Sequence, residues 1–189
     1  MTGFLSRSQV NYPFGSCFTA RGTGVLLNDE MDDFSTRPGT PNVYGLVGAE
    51  ANAIEPGKRP LSSMSPTIVE TRQGAALIGT PGGSRIITMV MLGILTMEQH
   101  FDPQQWVSRA RFHHQYLPDK IFYEPEALFT ETLQTLQQMG HKTKALDAVY
   151  GNMQAIAWDY VNGVKAASDP QVEGEAVVFN IPGETLEKK

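Results

Sequence analysis

The densest apolar stretch of the chain lies near its middle, where Ile86, Ile87, Met89, Val90, Leu92, Ile94 and Leu95 crowd into residues 86–95. Apolar positions recur there too closely for a one-sided stripe, which predicts a helix buried nearly all round. The chain enters it through "GTPGGS". Pro81 stiffens the approach, Gly82 and Gly83 can take positive φ and admit another atom close to the backbone, and Ser84 stands where a helix N-cap belongs. Just upstream, "PTIVETRQGAALIGT" (66–80) reads as two strands joined near Gln73 and Gly74. Strand, glycine turn and helix thus follow in order, and the turn sits at the end of a sheet.

Elsewhere the pattern is sparser. "DPQQWVSRA" predicts a short helix capped at Asp102 with Pro103 in its first turn. "EPEALFTETLQTLQQMGH" (124–141) predicts an amphipathic helix with Leu128, Leu133 and Leu136 inward and Gly140 at its C-terminal end. "MQAIAWDYVNGVKAAS" (153–168) predicts a hairpin around Asn162 and Gly163. From Gly15 to about Gly57 the chain is loop-rich, with one apolar burst, Val25-Leu26-Leu27, that predicts a buried strand. Residues 36–60 hold a long stretch of Gly, Pro and Asn of the kind that forms lids or binding loops. Residues 180–189 read as a frayed tail. The order β, ββ, α, α, β, α, ββ predicts one domain over residues 1–189, an α+β fold of layered sheets flanked by helices, as in an αββα sandwich.

Charge narrows the partners. The chain of 189 residues carries a formal net charge of −5 with its basic residues scattered, so neither nucleic acid nor an anionic membrane is expected. Cys17 is the sole cysteine, which excludes an internal disulfide and a cysteine-rich metal site. The start, "MTGFLSRSQVNYPFGS", shows no signal-peptide pattern, and residues 86–95 are too short a run to span a membrane.

Four features bear on chemistry. The N–H groups of the Gly82–Gly83 turn suit an anion or a developing oxyanion, or the turn is only a tight connection; "GTPGGS" lacks the Lys-Ser/Thr ending of a phosphate loop. Asp29, Glu30, Asp32 and Asp33 form either a solvated acidic turn or a site for a cation or a substrate ammonium group. Ser62, Ser63 and Ser65, between two prolines, either bond their own backbone or donate to a carboxylate. His113 and His114 are adjacent on a strand and point to opposite faces, which suits one buried histidine better than a metal pair. No Gly-X-Ser-X-Gly elbow marks a serine nucleophile.

Read together, "NYPFGS" (11–16), "GVLLNDEMDDFS" (24–35), "PNVYGLVG" (41–48), "KRPLSSMSPTIV" (58–69), "GTPGGSRIIT" (79–88), "ARFHHQYLPD" (110–119) and "ASDP" (167–170) resemble, in order and spacing, the small subunit of the γ-glutamyltranspeptidase family. The resemblance implies an N-terminal-nucleophile hydrolase fold, expected here to be incomplete. It implies γ-glutamyl transfer or hydrolysis on glutathione and other γ-glutamyl amides through a γ-glutamyl-Thr intermediate, with amino acids or dipeptides as acceptors. Gly82 and Gly83 would line the oxyanion hole. Glu30 and Asp33 would hold the α-ammonium, Asn11 would orient it, Ser62 and Ser63 would bind the α-carboxylate, and Tyr44 would be the gating aromatic of the lid. No metal or organic cofactor is implied. A large subunit of the same family is the implied partner, and the relatives' habit implies a periplasmic or extracellular place. The resemblance sets the nucleophilic Thr upstream of Met1, so it is expected to be absent; Thr2, Ser6 and Ser8 are the substitutes at hand, and Gln9 stands where the family usually has Thr. The alternative is a non-catalytic remnant that binds glutamate-like ligands or associates with a full-length relative.

Overall fold

The computed structural model describes residues 10–179; Thr2, Ser6, Ser8, Gln9 and the segment 180–189 lie outside them. The paired strands expected over 66–80 form as β1 (Thr67–Glu70) and β2 (Gly74–Gly79), antiparallel, with Thr67 opposite Ile78. Thr71 closes their turn, its Oγ1 accepting from the Gln73 and Gly74 N–H groups at 3.2 Å. Helix α1 (Ile86–Gln99) follows, then α2 (Pro103–Ser108). Next come β3 (Phe112–Gln115), β4 (Lys120–Tyr123), α3 (Thr130–Gln138) and β5 (Thr143–Ala145). The expected hairpin closes the described chain as β6 (Gln154–Asp159) and β7 (Gly163–Ser168).

Two sheets result, one ordered β1-β2-β6-β7 and one ordered β3-β4-β5. The main core lies where β2 and β6 face α1 and α2. Ile78, Ile86, Met89, Trp106, Val107 and Met153 are all but completely buried there. Small residues on the strands, Ala76, Ala155 and Ala157, let the helices come close.

Several expectations need correction. Helix α1 is not buried all round: Ile87 is 65% exposed, and Met91 and Leu95 continue an exposed apolar stripe at i, i+4 and i+8. The helix meets β2, β3 and α2 but leaves the Ile87 side uncovered, and sequence density cannot show which apolar residues find a neighbour. Ser84 does not cap it, because a 3-10 turn over Gly83–Arg85 intervenes and Arg85 takes the cap position without a side-chain bond. Val25, Leu26 and Leu27 are exposed and form no buried strand. Their segment bonds to its own neighbour, Ala20 N–H to the Val25 carbonyl and Leu27 N–H to the Phe18 carbonyl at 2.9 Å each, with one bridge between Thr19 and Leu26. The helix expected over 124–141 exists only as α3, with Leu128, Leu133 and Leu136 half-buried. Its first six residues are drawn into a turn, because Glu124 is held in the interior. The strands β4 and β5 were not expected at all; β5 is short and largely exposed, without an apolar alternation to announce it.

Glu124 belongs to a buried cluster around Arg111. Arg111 is 2% exposed, Glu124 0% and Asp169 1%. The Arg111 guanidinium donates to the Asp169 carboxylate, to the Tyr150 carbonyl, to the Val107 carbonyl at 2.8 Å and to Gln171 Oε1 at 3.0 Å. Glu124 in turn accepts from the Arg111 N–H at 2.7 Å and the Tyr150 N–H at 2.9 Å, while Asp169 accepts from the Met153 N–H at 3.2 Å. One cation and two carboxylates thus tie the end of α2, the starts of β3 and β6, and the ends of β4 and β7 to a single point. Removing one partner of such a set leaves an uncompensated buried charge, which typically costs about 3–5 kcal/mol. Asp169→Ala is therefore expected to lower unfolding stability by about that amount in urea titration, and Asp169→Asn, which keeps the shape and an acceptor, by less.

Candidate functional site

The turn after β2 can be built only from glycine. Gly82 has φ of 147° and Gly83 of 57°, both in the region that favours glycine. A Cβ at Gly82 would lie 2.5 Å from the Met89 side chain, and one at Gly83 would lie 2.5 Å from Tyr44 Cε1. So the Tyr44 ring rests on the backbone of Gly83. The loop carrying Tyr44 is shaped by Asn42, whose Oδ1 accepts from the Tyr44 and Leu46 N–H groups at 3.0 Å each. It is moored to β3 by Gln115, whose amide donates to the Tyr44 carbonyl.

Two cavities flank this turn, of about 790 Å³ and 360 Å³. Asn11, Tyr12, Tyr44, Ser63 and Gly83 line both. The larger adds Gly82, Arg85, His113 and Tyr150; the smaller adds Asp32, Asp33 and Ser35. Of the residues singled out from the sequence, Asn11, Asp33, Ser63, Tyr44, Gly82 and Gly83 are therefore brought together. Ser62 is not among the lining residues: it is exposed, and its Oγ accepts from the Met64 N–H at 3.2 Å. Nor does Glu30 line either cavity. It sits in the 3-10 turn Glu30–Asp33 behind Asp33, with which its carboxyl is hydrogen-bonded. Asn11 holds positive φ and donates from Nδ2 to the Asp29 carbonyl at 2.9 Å, which pins the segment before the site to the acidic turn.

The electrostatics divide between the two cavities. Burial pushes the Asp33 carboxyl above its ordinary range, the Glu30 hydrogen bond opposes this, and the Asp32 and Asp29 charges add to it. Burial likewise raises the Tyr44 phenol, helped by Asp33 and Asp32. In the larger cavity, burial lowers His113, against a hydrogen bond with Gln115, so its imidazole is held neutral. Its Nδ1 lies 2.8 Å from Thr88 Oγ1 and its Nε2 2.9 Å from Gln115 Oε1. His114 points the other way, toward Asp119 at 2.9 Å. The Arg85 guanidinium sits 4.4 Å above the Tyr150 ring, a cation–π contact. In the smaller cavity Asp32 and Asp33 can receive a cationic group, with Arg37 also in the wall, and the turn between the two offers backbone donors to an anionic one. Among the described residues no group of three or more His, Cys, Asp or Glu side chains is arranged to hold a metal ion.

Tyr12, Arg85, Gln115 and Tyr150 were not anticipated as neighbours of the site. Tyr12 adjoins Asn11 and could have been found as an aromatic beside a candidate binding residue. Tyr150 comes from a loop between β5 and β6 that carries no local signal.

The raised Asp33 carboxyl has a pH signature. A group whose pKa is higher in the fold than in the unfolded chain, where Asp titrates near about 3.9, contributes stability that is complete below that value and is lost as pH rises through the folded pKa. Asp33→Asn removes this dependence. Urea titrations at stepped pH should show the stability of the variant gaining on that of the native chain from about pH 4 upward.

The match to the family described as Gamma-glutamyltranspeptidase runs over residues 7–179. The chain is 45% identical over 174 residues to a glutathione hydrolase proenzyme of Pseudomonas aeruginosa, covering 89% of this chain and 31% of that protein. It is 44% identical over 164 residues to a glutathione hydrolase proenzyme of Escherichia coli, covering 86% of this chain and 28% of that one. The chain thus spans about a third of the length of these relatives. Among solved structures, a gamma-glutamyltranspeptidase from Pseudomonas nitroreducens complexed with L-DON superposes with a TM-score of 0.82 at 41% identity, over 93% of this chain and 92% of that one. The α+β fold is accordingly of the N-terminal-nucleophile hydrolase type. The match takes in both cavities and the glycine turn between them, and by it the chain belongs to the γ-glutamyltranspeptidase family.

Proposed function

We propose that this chain supplies the γ-glutamyl pocket and the oxyanion hole for transfer or hydrolysis of γ-glutamyl groups from glutathione and other γ-glutamyl amides. The observation that carries the reading is the convergence of Asp33, Ser63 and the Gly82–Gly83 turn on two cavities with shared walls. A γ-glutamyl group is a zwitterion at one end and an acyl group at the other. Asp33, backed by Glu30, receives the α-ammonium, and Asn11 orients it. Ser63 donates to the α-carboxylate, and the exposed Ser62 hydroxyl, which accepts from Met64, keeps its own proton to donate beside it. The acyl carbonyl then lies at the glycine turn, where the N–H groups of Gly82 and Gly83 meet the oxygen as it becomes negative.

In the reaction a Thr hydroxyl oxygen bonds to the γ-carbonyl carbon, the amide C–N bond breaks, and the departing amine takes up the proton. Water or an amino group of an amino acid or dipeptide then displaces the Thr. The attacking Thr is assigned to no described residue of this chain, whose part is recognition and charge stabilisation. Its partner is a large subunit of the same family. The exposed stripe of Ile87, Met91 and Leu95 and the exposed Val25-Leu26-Leu27 segment support a surface that another polypeptide covers.

Calorimetric titration with glutathione and with glutamate tests the pocket. Saturable binding is expected, lost in Asp33→Ala and in Ser63→Ala. Absence of binding at millimolar ligand in a folded chain, or binding that neither substitution affects, overturns the reading. Binding without amine release from a γ-glutamyl anilide, even with the large subunit present, would favour a non-catalytic remnant. Where release occurs, Gly82→Ala, which keeps the N–H but cannot hold a φ of 147° and so displaces that donor, should lower kcat by up to about 10²–10³-fold, the size of effect seen when one oxyanion donor is lost, with a smaller effect on KM.

A further inference from the structure

The ring of Tyr12 lies parallel to that of Tyr44, with an interplanar angle of 2° and centroids 5.7 Å apart. This is the offset stack that aromatic pairs favour. Both rings are half-buried, and both line the two cavities. Tyr44 therefore meets both the Gly83 backbone, where its ring atoms leave no room for a Cβ, and the face of Tyr12.

Tyr12 is itself well anchored. Its carbonyl accepts from the Gly15 N–H at 2.8 Å, and the preceding Val10 carbonyl accepts from the Asp29 N–H at 3.0 Å. Its phenol, pushed up to about 12 first by burial, is hydrogen-bonded with Asp32. The Tyr44 loop is held internally by Asn42 and externally by the Gln115 amide and by the Gly39 N–H, which donates to the Gly48 carbonyl at 2.9 Å, while Gly45 and Gly48 pack close to Leu117 and Ser35. The Tyr12 ring adds an aromatic contact to these anchors, and it comes from a different part of the chain.

We propose that Tyr12 is a positioning residue that latches the 41–48 loop over the glycine turn by ring stacking on Tyr44. The latch sets how often the loop opens, and so how fast a ligand enters and leaves the cavities. It acts through the flat face of residue 12, while the Tyr12 hydroxyl serves to hold that ring in place against Asp32. The consequence for ligands rests on the γ-glutamyl reading above; the latch does not.

Amide hydrogen exchange on the full chain, with no ligand, tests it. The Tyr44 and Leu46 N–H groups are the reporters, since both are bonded to Asn42 within the loop. Tyr12→Leu should speed their exchange by about 2- to 10-fold, the range that loss of one aromatic pair allows. Tyr12→Phe, which keeps the ring, should retain most of the protection. Amides in the β2–β6 ladder, such as Ile78 and Ala157, should not change in either variant. Unchanged loop exchange in Tyr12→Leu overturns the proposal, and so does a Tyr12→Phe variant as fast as Tyr12→Leu, which would put the effect in the hydroxyl. If Tyr12→Leu perturbs the ladder as well, Tyr44→Leu and the double variant decide: the Leu46 amide should be no faster in the double variant than in Tyr44→Leu alone, and additive acceleration overturns the latch. Should glutathione fail to bind the native chain while this exchange pattern holds, the γ-glutamyl reading falls and the latch stands.

Discussion

A guanidinium enclosed by protein has to be satisfied on every side, and in this fold the Arg111 side chain is met by Asp169 and by three acceptors drawn from other elements. Glu124 and Asp169 pass the constraint on, because each also fixes a backbone N–H just before β6, Tyr150 and Met153 respectively. The two sheets share no strand, so this cluster is a main polar junction between them. Its placement also has a consequence for the site: Tyr150 is fixed by Arg111 and Glu124 through its backbone and presents its ring to Arg85 at the wall of the larger cavity.

The site itself depends on what glycine permits. The end of β2 delivers the chain to Gly82 and Gly83 in conformations other residues resist, and the lack of a Cβ at Gly83 is what lets Tyr44 settle there. Tyr44, with Tyr12 stacked on it, lies in the wall common to both cavities, between the acidic side at Asp33 and the side of Arg85 and neutral His113. Opposite polarity on the two sides of one glycine turn suits a ligand with an ammonium at one end and a reacting carbonyl at the other.

Much of the secondary structure near the site is legible in the sequence, because it is local. The β1–β2 pair carries Gln73 and Gly74 at its turn, the β6–β7 hairpin carries Asn162 and Gly163, and α1 follows its glycines directly. What could not be read is whether an apolar residue finds a neighbour. Val25, Leu26, Leu27, Ile87 and Leu95 look like core and are exposed, since exposure depends on what else packs against them. Glu124 shows the opposite failure: it reads as the polar start of a helix and is among the most buried side chains, because its partners Arg111 and Tyr150 are distant in sequence. Of the candidate site residues, Asn11, Asp33, Tyr44, Ser63, Gly82 and Gly83 line one or both cavities, whereas Ser62 and Glu30 line neither. Arg85 and Tyr150 emerge only from tertiary geometry, whereas Tyr12 stands next to Asn11 in the sequence.

A crystal structure of the chain soaked with glutathione addresses the central claim most directly. The account predicts density in the joined cavities with the α-ammonium against Asp33 and the γ-carbonyl oxygen within hydrogen-bonding distance of the Gly82 and Gly83 N–H groups. Glutathione bound with its γ-carbonyl turned away from the glycine turn, or seated instead in the separate cavity lined by Gln73, His100 and Lys165, would contradict it.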